Sequence, residues 1–237
     1  MYINDLHILY YLGFGIIGII VGQFIDWLNI RMQEYKKILS NDFFKIYLKN
    51  FKPKYILMFI TAIFYVLILY KYGLTDVRTY EYSIFIPILI SAFCIDFKKH
   101  IIPNRLTLTL LEVGLVFSFI EGVSDLNIII DKILGLICGA IIFLCITYIG
   151  KWISGKDSIG FGDVKLICSI GLFLGFKNII AASIIAFAIA GITSIILLLL
   201  KKKKANEYIA FGPFIVISSI IMVFIPIEEL IALIVGL

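Results

Sequence analysis

Eight apolar stretches constrain this chain more than any other feature. They lie at about 8–25, 55–71, 82–95, 106–121, 127–149, 164–176, 178–200 and 209–235. A helix needs about 20 apolar residues to cross the hydrocarbon core of a bilayer, fewer where its ends are shared with protein. The stretches therefore predict an all-α, polytopic integral membrane protein of about eight transmembrane helices. Composition agrees. The 237 residues are 62% hydrophobic and only 16% charged, with a mean hydropathy of +1.07. A soluble domain carries roughly a quarter charged residues.

Charge sets the orientation. If the N-terminus is outside, the loops after the first, third, fifth and seventh stretches hold 17 of the 21 basic residues. The opposite face receives only Lys71, Arg78, Lys132 and Lys177. By the positive-inside rule this predicts an N-out, C-out protein in the cytoplasmic membrane. The net charge of +5 then reads as membrane anchoring rather than nucleic-acid binding. Residues 1–7 carry no basic n-region, so the first stretch is expected to be retained as a span. The segment 26–54 alternates apolar residues with lysines and reads as a basic amphipathic element in the headgroup layer. It joins the first helix in an N-terminal part, 1–54, followed by a membrane-embedded domain, 55–237. The run Lys201–Lys204 reads as a cytoplasmic stop signal that could also attract anionic lipid.

Two acids stand out at the ends of apolar stretches. Asp163 follows the tight pair Gly160-Phe161-Gly162, and Asp96 closes the third stretch before Phe97-Lys98-Lys99-His100-Ile101-Ile102-Pro103-Asn104. The charge rule places both at the cytoplasmic face. Read singly, Asp163 is equally a helix N-cap and Asp96 a loop acid. Read together, they suit a dyad that shares one proton, in which one carboxylate activates water and the other polarises a carbonyl. Glu112 lies seven residues past Arg105, roughly 10 Å into the fourth stretch by helical rise. It is either a functional intramembrane acid or a neutral structural one. A small ion- or proton-coupled transporter using Asp96, Glu112 and Asp163 is the alternative class. The four cysteines lie in apolar runs without metal-ligand spacing, and the histidines are only His7 and His100, so no metal site, zinc included, is expected.

These residues resemble those of the type IV prepilin peptidases. Asp96 followed by Ile102-Pro103-Asn104 is similar to their first catalytic motif, and Gly160-Phe-Gly162-Asp163-Val-Lys165-Leu to their second. Phe211-Gly212-Pro213-Phe214 resembles the opening of their last span, and the stretch from Gly22 through Arg31 the region after their first. The resemblance implies a membrane aspartic endopeptidase that removes the leader of prepilins or pseudopilins at the cytoplasmic face. It also implies Asp96 and Asp163 as catalytic residues. Gly160, Gly162, Pro103 and Lys165 would support the active-site turn. Proteolysis would need no cofactor. Bifunctional members also methylate the new N-terminus from S-adenosylmethionine, and that activity is left open here. Many members carry zinc-binding cysteines in a longer first cytoplasmic domain, which this chain lacks. Archaeal preflagellin peptidases share the aspartate pair and are the neighbouring family.

Overall fold

The computed structural model describes residues 2–4, 6–33, 52–154, 160–200 and 209–236. Most of the expected amphipathic segment and all of the lysine run lie outside the described residues. The chain divides into two compact units, Met1–Cys94 and Ile95–Leu237.

The first unit opens with two short antiparallel strands, β1 (Tyr2–Ile3) and β2 (Leu6–His7). The apolar pattern had suggested no strand. They lead into α1 (Ile8–Gln33) and then α2 (Tyr55–Tyr72). These two helices meet at small residues. A Cβ on Gly18 would lie 2.7 Å from Ala62 Cα, and the Thr61 hydroxyl donates to Gly18 O at 2.6 Å. Between apolar helices such close approach maximises dispersion contact and lets a hydroxyl bond across the interface. Gln23 tethers the chain returning to α2, donating to Lys52 O at 3.2 Å and accepting from Lys54 N at 2.9 Å. The helix α3 (Val77–Lys99) follows and runs through Pro87 without a break. The unit boundary falls within it, two residues before Asp96.

The second unit holds the end of α3, then α4 (Asn104–Gly122), α5 (Leu126–Ser154), α6 (Phe161–Leu199), α7 (Gly212–Phe224) and α8 (Ile227–Val235). Gly175 interrupts α6 with φ 73° and ψ 178°, a conformation open to glycine because it has no Cβ. A Cβ on Gly139 of α5 would lie 3.0 Å from Ile167 O and 3.2 Å from Ile179 Cγ1. In a straight helix those two residues would stand about 18 Å apart. The chain therefore folds back at Gly175, and residues 161–174 and 176–199 both run along α5. Gly135 of α5 and Gly171 of α6 let the two backbones touch directly. The corner is capped by Asp131, whose Oδ1 accepts the Phe176 N–H at 3.3 Å. Asp131 thus has a structural task at this corner.

The eight apolar stretches all fall on helices, the sixth and seventh on the two limbs of α6. Helices α1, α2, α3, α5 and α6 are each long and apolar enough to cross a membrane, and the bent pair α7–α8 makes a sixth if taken as one span. Helix α4, with Arg105, Glu112 and Glu121, does not meet that measure. The last stretch was read as one helix but bends by 76° between α7 and α8. Pro226 causes this, since it lacks an N–H and disfavours helical backbone at Ile225, which has φ −133° and ψ 82°.

Candidate active site

Four helix ends converge in the second unit: the C-terminal end of α3 and the N-terminal ends of α4, α6 and α7. Asp96 lies in the last turn of α3 and Asp163 in the first turn of α6. Both are buried, at 3% and 4% exposure. The Asp96 carboxylate lies near enough to Asp163 for its charge to act there. For acids this buried, that proximity is the main finding.

The loop between Asp96 and Asn104 explains the spacing of the first motif. His100 N donates to Asp96 O at 2.8 Å, and His100 adopts φ 55°. A left-handed residue at this position ends a helix while satisfying one of its last carbonyls. The chain then turns so that Ile102 is buried and Pro103, with φ −64° and ψ 134°, caps α4. The Pro103 carbonyl accepts from Leu106 N at 3.0 Å. Proline's fixed φ suits this entry, and its missing N–H costs nothing where a helix begins.

The second motif meets the first at two points. A Cβ on Gly162 would lie 3.3 Å from Ile102 Cβ, so a glycine lets the start of α6 close down on that loop. Lys165 Nζ donates to Asn104 Oδ1 at 2.9 Å and lies 5.0 Å from the Phe161 ring centroid. One turn further along, Ser169 Oγ donates to Thr107 O at 3.1 Å, tying α4 to α6. Gly160 takes the N-cap position with φ −68° and ψ 141°, and its carbonyl accepts from Asp163 N at 3.0 Å. That φ is open to any residue, so Gly160 is not required there for left-handed backbone.

Of the residues singled out from sequence, Asp96, Asp163, Gly160, Gly162, Pro103 and Lys165 belong to one neighbourhood. Glu112 does not. Its side chain is exposed on α4. Sequence reasoning missed a contact. The backbone N–H of Gly212, at the start of α7, donates to Asp96 Oδ2 at 3.0 Å in a buried setting. The only signal for it was a Gly-Pro pair opening an apolar helix. Beside the dyad, Asn104, Thr107, Leu108, Leu111, Lys165, Cys168 and Ser169 line a cavity of about 400 Å³ between α4 and α6. Among the described residues, no three or more His, Cys, Asp or Glu side chains cluster as metal ligands.

Residues 83–195 match the type IV leader peptidase family. Over 128 residues the chain is 34% identical to the prepilin leader peptidase/N-methyltransferase of Escherichia coli (strain K12), covering 54% of this chain and 55% of that protein. It is 30% identical over 132 residues to the protein of the same name from Aeromonas salmonicida (strain A449), covering 56% and 44%. With that of Pseudomonas aeruginosa it shares 26% identity over 131 residues, covering 55% and 44%. The chain thus spans about half the length of the curated relatives it matches. No solved structure matches it. Both aspartate motifs, the loop that joins Asp96 to α4 and the corner at Gly175 all lie inside the segment that matches the type IV leader peptidase family.

Proposed function

We propose that this protein is a membrane aspartic endopeptidase that removes the leader peptide of prepilins or pseudopilins at the cytoplasmic face of the cytoplasmic membrane. The observation that carries this reading is the approach of Asp96 and Asp163, two buried carboxylates from different helix ends, with Asp163 within range of the Asp96 charge. Two such acids at one site favour a shared proton. The ionised carboxylate takes a proton from a water molecule as its oxygen attacks the scissile carbonyl. The protonated one donates a hydrogen bond to that carbonyl as it becomes tetrahedral. Proton transfer to the amide nitrogen then breaks the C–N bond, giving a new carboxylic acid and a new amine. The charge asymmetry of the sequence supports the cytoplasmic placement, and the relatives' names supply the substrate class.

The relatives' names also include N-methyltransferase. S-adenosylmethionine, the donor such a reaction would use, is a sulfonium cation with a ribose. The cavity between α4 and α6 is lined by Lys165 and no carboxylate. Methyl transfer stays a separate readout.

Purified protein in detergent, incubated with a prepilin, tests the peptidase reading. Asp163→Asn should lower the cleavage rate by about 10³-fold or more, as loss of a group that takes part in bond-breaking does. Cleavage by Asp163→Asn at the wild-type rate would rule out the dyad.

A further inference from the structure

The Phe211–Phe214 turn lies outside the segment matched to the family, and the mechanism above gives it no role. Its geometry gives it one. The Phe211 ring packs 4.9 Å from that of Phe187 on the second limb of α6 and 5.8 Å from that of Phe143 on α5. Phe143 and Phe187 are themselves 5.4 Å apart, so three rings from three elements form one cluster. Phe214 adds an edge contact at 6.1 Å. Ring pairs at these separations hold their orientation beyond what simple burial provides. The next residue, Gly212, presents its N–H to Asp96 Oδ2. A Cβ there would lie 2.6 Å from that oxygen, so only glycine lets the amide come this close. Phe187 and Asp163 each stand twelve residues from the fold-back at Gly175, which brings the ring cluster level with the dyad.

We propose that Phe211 and Gly212 are positioning residues: the clamped turn holds Asp96 Oδ2 through the Gly212 amide, leaving Oδ1 as the oxygen that takes the proton from water. Pinning one oxygen fixes the plane of the carboxylate, and proton transfer depends on such alignment. The inference rests on the aspartic peptidase reading.

Replacing Gly212 by glycolic acid during cell-free synthesis into nanodiscs turns the 211–212 amide into an ester. The N–H is removed and no atom is added. With a purified prepilin as substrate, kcat should fall by about 10- to 100-fold, the effect of losing one charge-assisted hydrogen bond, with KM unchanged. Phe187→Leu should lower kcat at unchanged KM by a smaller factor. Gly212→Ala, which keeps the N–H but crowds Oδ2, should also lose kcat. A turn with only a structural role would leave the ester at wild-type kcat, because its shape is preserved, and that result would overturn the inference. A rise in KM alone would overturn it too. Wild-type protein that leaves every prepilin uncut would instead defeat the peptidase reading, a failure visible before any variant is compared.

Discussion

Lys165 sits two residues past Asp163, and its ammonium is already engaged by Asn104 Oδ1 and the Phe161 ring. Those contacts make it a brace between the two motifs. Lys165→Met should slow leader cleavage by about fivefold, the worth of one net hydrogen bond near 1 kcal/mol. A loss of several thousandfold in a cleavage time course would mean that Lys165 takes part in the chemistry. Gly162 braces by absence. Its ideal Cβ is 3.3 Å from Ile102 Cβ, so Gly162→Val should displace the first turn of α6 and reduce kcat more than it reduces stability. The aspartates were legible in the sequence because a carboxylate at the end of an apolar helix needs a reason. The Gly212 amide was not legible, because every residue but proline has a backbone N–H and the contact spans 116 residues.

At the scale of elements, the corner of α6 decides where Asp163 stands. Gly175 has φ 73°, and a side chain there would run into the Asp131 carboxylate. Gly175→Ala should therefore cost about 2 kcal/mol or more, combining left-handed strain with the clash. Asp131→Ala should cost about 1 kcal/mol, the usual worth of a helix cap. Thermal unfolding in detergent should rank the two variants in that order, and the reverse order would mean that the corner is held elsewhere. At the same end of the unit, Lys132 Nζ and Glu121 Oε2 pair at 2.8 Å with side chains 7% and 11% exposed. Lys132→Met would leave that acid uncompensated, at about 3–5 kcal/mol, whereas pairing it with Glu121→Gln should recover much of the loss. Equal stability of the single and double variants would show that the pair contributes nothing. The sequence reading separated the limbs of α6 because Gly175 and Lys177 interrupt the apolar run. It joined α7 to α8 because a single Pro226 left the average hydropathy high.

Across the whole molecule, the fold class was legible because lipid permits few ways to satisfy a backbone. Eight apolar stretches allowed little besides a helical bundle. The convergence of Asp96 and Asp163 is the central claim. Sixty-seven residues apart in sequence, they meet because α3 and α6 are terminated and started by the two motifs themselves. On the proposed reading, cleavage requires both residues together. The most direct measurement is the intact mass of a prepilin co-expressed with wild-type protein, Asp96→Asn or Asp163→Asn. The leader should be lost with wild type and retained in full with either variant. An added methylene on the trimmed N-terminus would establish methyl transfer in the same spectrum. A leader still attached with wild type across all the source's own prepilins, or removed as well by either variant, would contradict the account.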